Sequence, residues 1–185
     1  MMALSDRHGK FSYTETDRFQ AIVMPYRHDT GTPVSMLVIL PKGNDLAAVE
    51  GSLNAQTLAD VKKALSYRPV TVFFPKFRLE TTYSLPDTLS SMGMPTAFSR
   101  DADFSGMDGA KDLFISDVIH KGFVDVNETG TEAAAATGVV VGAVSAPARE
   151  PEPIVFRADH PFIFLIQDDE TGNILFMGRV VNPNG

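Results

Sequence analysis

From residue 128 to residue 137 the chain reads Glu-Thr-Gly-Thr-Glu-Ala-Ala-Ala-Ala-Thr, a run of small side chains hinged on Gly130. Alanine has the highest helix propensity, so in isolation Glu132, Ala133, Ala134, Ala135 and Ala136 predict the first turn of a helix capped by Thr131. The downstream sequence argues for a different use. Residues 138–154 carry no charge before Arg149 and include three prolines, a composition that suits an exposed tether better than a core element. Phe156-Arg157-Ala158-Asp159-His160-Pro161-Phe162 then opens a hydrophobic strand. If the small-residue run is extended instead, Thr131, Ala133, Ala135, Thr137, Val139 and Val141 share one face at period two and Glu132 faces water. Side chains this small on one face fit a close-packed interior, which has no room for large ones. Gly130 supplies permissive backbone at the head of the run.

The remaining sequence excludes several classes. A length of 185 residues suits one domain, and a net charge of -7 argues against nucleic acid or an anionic membrane as the main partner. No apolar run approaches the ~20 residues that span a bilayer as helix. Met1-Met2-Ala3-Leu4 runs straight into Ser5-Asp6-Arg7-His8 with no signal-peptide pattern. Without cysteine there is no disulfide framework, thiol nucleophile or thiolate metal site. The compartment stays open, with an extracellular setting favoured. Ser105-Gly106 lacks a nucleophile-elbow pattern, and the four histidines show no metal-ligand spacing. Asp101, Asp103 and Asp108 do not match a calcium loop, and the glycines form no phosphate-binding fingerprint. Neither an enzyme nor a cofactor is expected.

Along the chain, strands outnumber helices. Residues 19–26 and 34–41 are apolar runs joined by His28-Asp29-Thr30-Gly31-Thr32, a hairpin signal. Residues 11–15 suggest an earlier short strand. Asp45 is placed to cap a short helix through Leu53. Asn54 is placed to cap a second, with Leu58, Val61, Ala64 and Leu65 on one face. Residues 70–83 are β-branched and aromatic, a strand interrupted near Pro75. Residues 85–92 suit a short helix ended by Gly93. In the second half of residues 113–126, Val118, His120, Gly122, Val124 and Val126 share one face. Residues 154–166 and 174–181 form a closing pair across the polar turn 168–173. The fold class is α+β with more strand than helix.

These motifs resemble those of the serpins, protease inhibitors that insert a reactive-centre loop into their own sheet. Residues 156–166 match the family's C-terminal signature, and residues 176–183 look like its last strand and tail. Phe74-Pro75-Lys76-Phe77, Phe104-Ser105-Gly106-Met107 and Val118-Ile119-His120-Lys121 resemble intermediate motifs in the correct order. The resemblance covers essentially the whole chain. It implies mostly antiparallel sheets with a few short helices, and a partial serpin domain over residues 1–185 in which 128–155 are hinge and reactive-centre loop. It makes Glu128, Gly130 and the run from Thr131 to Thr137 the inhibitory hinge. It makes His120 the buried histidine of the shutter, where the sheet opens, and pairs Lys76 with Glu128 at the breach above it. His160 reads as structural.

Counting from Gly130 by the family's spacing places the scissile bond at Val144-Ser145. Ala143 and Val144 suit an elastase-like or subtilisin-like serine protease, with a cysteine protease as a further option. The segment after Ser145 is longer than the family's usual, so Val141 and Arg149 stay open as bait residues, and Arg149 would favour a trypsin-like target. Met1-Met2 falls at an internal position of the family pattern, so the chain is expected to be the C-terminal half of a longer protein. Such a half lacks the strand beside which the loop inserts. It is then a protease substrate or binding module, with exposed strand edges through which copies associate.

Overall fold

The computed structural model describes residues 2–3, 9–26, 31–127 and 154–183. In chain order the first elements are β1 (Met2–Ala3), β2 (Gly9–Glu15), β3 (Phe19–Pro25), β4 (Val34–Pro41), α1 (Leu46–Ser52), α2 (Ala55–Ala64) and β5 (Ser66–Phe74). There follow β6 (Phe77–Ser84), α3 (Pro86–Ser91), a single 3-10 turn (Pro95–Phe98), α4 (Ser105–Asp108), β7 (Ile119–Val126), β8 (Ile154–Arg157), β9 (Phe162–Asp168) and β10 (Ile174–Val180). They divide into two compact units, residues 1–77 with 126–185, and residues 78–125.

The first unit is built on one sheet with strand order β1-β5-β2-β3-β4-β9-β10, and β8 pairs with β5 as well. The β3–β4 hairpin holds an unbroken antiparallel register from Phe19↔Pro41 to Pro25↔Ser35. On the far side of β4 the register with β9 runs from Val34↔Asp168 to Ile39↔Ile163. β4 is buried from Ser35 to Pro41 without alternation, because both faces of the sheet at this strand are covered. On one face Phe19, Ala21, Leu37, Ile39, Ile163 and Leu165 pack with Leu46 and Val49 of α1 and Val61 of α2. On the other, Phe74 packs against Phe162 with ring centroids 5.3 Å apart and planes tilted by 47°, and Phe77 lies 5.5 Å from Phe164. Burying each such side chain contributes roughly 1.5–3 kcal/mol, so this two-faced packing dominates the unit's stability.

The caps read in the sequence are made. The Asp45 carboxylate accepts from Ala48 N–H at 3.0 Å, and Asn54 Oδ1 accepts from Thr57 N–H at 2.9 Å. Val61 turns inward with Leu58 packed beside it. The strand expected from 70 to 83 starts earlier, at Ser66, and breaks at Pro75-Lys76.

One expectation is corrected. Residues 154–166 are two strands rather than one, and only the second pairs with the last strand. β8 instead lies parallel to β5, with register from Val70↔Ile154 to Phe73↔Arg157. The break falls at Ala158 to Pro161. There Ala158 N–H donates to Phe73 O at 2.9 Å, holding the first strand to β5. His160 Nε2–H donates to Pro41 O at 2.7 Å, turning the chain toward β4. Pro161 has no N–H to continue a ladder. β9 and β10 then close the sheet, with register from Phe176↔Ile166 to Val180↔Phe162, across a turn in which Gly172 takes φ 73°.

The second unit contains the two-stranded sheet β6–β7. Leu85 N–H donates to Val118 O at 2.9 Å, and Ser84 Oγ–H to Asp117 Oδ1 at 2.9 Å, joining the end of β6 to the approach to β7. The Arg78 guanidinium sits over the Phe123 ring at 5.0 Å. Within residues 78–125 only Ala102 is buried. This unit therefore has little core of its own.

Candidate functional site

The small-residue run and bait segment singled out above occupy the connection between β7 and β8. Glu128, Gly130, Thr131, Glu132, Ala133, Ala134, Ala135, Ala136, Thr137, Val144 and Ser145 lie outside the described residues, as do Val141 and Arg149. What the structure supplies is how the two ends of this connection are held. On the upstream side β7 ends at Val126, whose side chain is buried. On the downstream side the chain is fixed within a few residues. Phe156 is fully buried, the Arg157 guanidinium stacks over the Phe73 ring at 3.8 Å, and Ala158 is hydrogen-bonded to β5. A cation stacked that closely on an aromatic face contributes on the order of 0.5–1 kcal/mol at an exposed site.

His160 then pins the corner from both sides of its ring. Nε2 reaches the Pro41 carbonyl, and Nδ1 stands 2.8 Å from Asp159 Oδ1. The structural reading of His160 follows directly from these contacts. Residues 156–160 are therefore an anchor for the chain downstream of residue 153.

His120 and Lys76, which the resemblance assigns to the shutter and the breach, fare differently. His120 was expected to be a buried core histidine. It is exposed on β7, where burial rises along the alternating face from His120 through half-buried Gly122 and Val124 to buried Val126. The period-two face is therefore as read, but at its His120 end no described element covers it. Lys76 lies exposed in the link between β5 and β6, directly after buried Pro75, and its expected partner Glu128 is outside the described residues.

No side chain here is set up as an activated nucleophile among the described residues. The nearest approach is Ser105, whose Oγ–H donates to Asp103 Oδ1 at 2.6 Å. Lys111 Nζ lies 2.6 Å from the other Asp103 oxygen and, together with the serine bonds, holds that carboxyl below its usual range. A carboxylate so neutralised is a poor base for drawing a proton from serine. Among the described residues no group of three or more His, Cys, Asp or Glu could hold a metal ion.

Two positions that pattern-reading did not single out carry much of the anchoring. Gly178 faces Phe164 across β9–β10 so closely that a Cβ there would meet the ring at 2.7 Å. Arg157 finds its aromatic platform through a strand pairing that local periodicity does not reveal. The only sequence signal for either is membership of the C-terminal signature and last strand.

The comparisons agree with this architecture. The family profile described as Serpin (serine protease inhibitor) matches residues 1–183. The chain is 44% identical over 181 residues to intracellular coagulation inhibitor 2 of Tachypleus tridentatus, covering 97% of this chain and 43% of that protein. It is 41% identical over 181 residues to the leukocyte elastase inhibitor of Bos taurus, covering 94% and 46%. Uncleaved ovalbumin matches structurally with a TM-score of 0.77 at 29% identity, over 96% of this chain and 43% of that one. The chain thus spans less than half the length of these relatives. The extracellular setting favoured above gains no support from relatives of which one is named intracellular. A profile matched over nearly every residue, relatives above 40% identity and a shared α+β architecture lead to one conclusion: the chain belongs to the serpin family.

Proposed function

We propose that this serpin is an inhibitor of serine proteases, with cysteine proteases as a further class, and not itself an enzyme. Its bait is the segment from 128 to 155, which enters the sheet beside β7 after cleavage. The observation that carries the reading is the hinge composition. Gly130 at the pivot and Thr131, Ala133, Ala135 and Thr137 on one face offer side chains small enough to be buried in a packed sheet. The segment continues directly from β7, which supports entry alongside that strand. The names of the relatives, a leukocyte elastase inhibitor and a coagulation inhibitor, support protease inhibition in general. His120 and Lys76 are proposed as part of the opening and closing of the sheet, and the described region as part of a single serpin domain.

The target class follows from the bait. Val144-Ser145 preceded by Ala143 fits an elastase-like or subtilisin-like protease, whose pocket accepts small apolar side chains. Cleavage after Arg149 would mark a trypsin-like target, and cleavage after Val141 would shift the register by three residues. Mass spectrometry of fragments produced by elastase and by trypsin separates these. A cut only after Arg149 removes the Val144 assignment.

A second reading applies to the 185 residues alone. β6–β7 is a two-stranded sheet, so among the described residues a strand added beside β7 finds a partner on one side only. The chain alone is then cleaved as a substrate without trapping the protease. Denaturing gel electrophoresis after incubation with an elastase-like enzyme tests both readings. The expected result is two cleavage fragments from the 185 residues, and a band at the summed mass of inhibitor and protease from a version extended to the relatives' length. A stable summed band from the short chain refutes the second reading, and failure of the extended version to form one refutes the first.

A further inference from the structure

One hollow lies apart from the bait segment and its anchors. It has a volume of about 550 Å³ and is walled by the β2–β3 turn, the end of α1 and one side of α2. That volume is within the range of small-molecule sites. Buried Phe19 and Val61 form its floor, with exposed Ala64 at one end. Every wall comes from residues 14–64, so the shape is made within one compact unit.

The polar atoms around the hollow differ in what they still offer a ligand. The Thr16 hydroxyl accepts from the Arg18 and Phe19 N–H groups at 3.2 Å and closes the turn. Ser52 Oγ–H donates to Val49 O at 2.8 Å, and Thr57 Oγ1–H to Ser52 O at 2.9 Å. Arg18 Nη2–H donates to Ala48 O at 2.8 Å, which draws the guanidinium onto α1. These donors are engaged within the protein. Two carboxylates on the rim are not neutralised. Asp17 makes no ion pair or hydrogen bond among the described residues, and Asp60 accepts from the neutral Gln56 amide at 3.0 Å. An apolar floor, engaged donors and uncompensated carboxylates together select an apolar body that carries positive charge. We propose that the hollow binds a small organic cation of the aralkylamine class, its ring on Phe19 and Val61 and its ammonium at the Asp17 and Asp60 rim. This stands apart from the inhibitory reading and survives its failure.

Amide NMR titration of the 185-residue chain with phenethylammonium tests the site. Saturable shifts should gather at residues 14–19 and 57–64, with a Kd in the millimolar range for so open a site. 2-Phenylethanol has the same ring without the charge. It should bind about three- to fivefold more weakly, since an exposed charge pair adds little. Replacing both carboxylates, Asp17→Asn with Asp60→Asn, should abolish that difference and leave binding of the alcohol unchanged. Asp87→Asn, on α3, should change neither. Ala64→Trp places a large side chain at the end of the floor and should remove the shifts caused by both compounds. The same shifts should appear in a version extended to the relatives' length. Shifts that do not saturate, or that scatter over the chain, overturn the proposal. Equal binding of amine and alcohol overturns the choice of a cation, and loss of the shifts in the extended version overturns the site for the longer protein.

Discussion

At Gly178 the absence of a side chain is what lets the tip of the Phe164 ring approach the last strand so closely. A Cβ would sit 2.7 Å from that ring, which is fully buried and in turn packs on Phe77. Gly178→Val therefore forces the ring out of a packed site, and overpacking of this kind costs about 1–3 kcal/mol. Urea unfolding should show the midpoint fall with little change in slope. His160 acts by bonding rather than by volume. His160→Ala removes the donor to the Pro41 carbonyl and should cost on the order of 1–3 kcal/mol, part of which His160→Gln restores. Asp168 sets a pH dependence. Its carboxylate accepts from the Thr171 and Glu170 N–H groups, and these bonds, Thr171 first, hold its pKa below the ordinary value. A depressed folded pKa gives stability that is present above the unfolded carboxylate pKa and is lost as the pH falls through the folded one. The β9–β10 turn should loosen only under acidic conditions, visible as faster amide exchange at Glu170 and Thr171. In Asp168→Asn the acid-dependent step should disappear.

Elements were legible where their causes are local. Asn54 and Asp45 announce helix starts because a side-chain oxygen three residues upstream of an orphan N–H is a short-range event. Asn54→Ala should cost about 1 kcal/mol in chemical unfolding, with the loss largely recovered by Asn54→Ser or Asn54→Asp. The β3–β4 hairpin was legible for the same reason, from two apolar runs separated by a polar turn. The division of the C-terminal signature into β8 and β9 was not. It is made by Ala158 bonding to Phe73 and His160 bonding to Pro41, partners far away in sequence. Pro161 was a visible warning of that break. His120 shows the complementary limit. Period-two alternation assigns a residue to a face, but burial depends on whether another element covers that face, and at the His120 end of β7 none of the described elements does. The candidate bait rests on composition alone, a small-residue run followed by a tether with no charge before Arg149, and the anchors at its ends became visible only in three dimensions.

Across the whole chain, burial is unevenly divided, and this has two measurable consequences. Strands β3, β4 and β9 carry most of the fully buried side chains, whereas residues 78–125 bury only Ala102. Local opening is cheapest where few apolar contacts hold the backbone. Amide exchange should therefore be slow in β3, β4 and β9 and fast in β6 and β7, and equal protection in both units would contradict this division. The second consequence concerns cleavage. Under the proposed mechanism, cutting the 128–153 segment in a sheet able to accept it on both sides would add a central strand with two new ladders and both faces buried, and the melting temperature would rise steeply. In these 185 residues the described partner of β7 is β6 alone, so a strand from Thr131 to Val141 gains one ladder and stays exposed along its other edge. Against that half-gain stands the entropy of ordering each residue of the strand, roughly 1–2 kcal/mol for its backbone. The two nearly cancel, and no large stabilisation follows. Circular dichroism melts before and after limited elastase digestion should differ by no more than a few degrees. A rise of tens of degrees would mean that the freed loop is fully paired, with the second partner strand contributed by another copy of the chain.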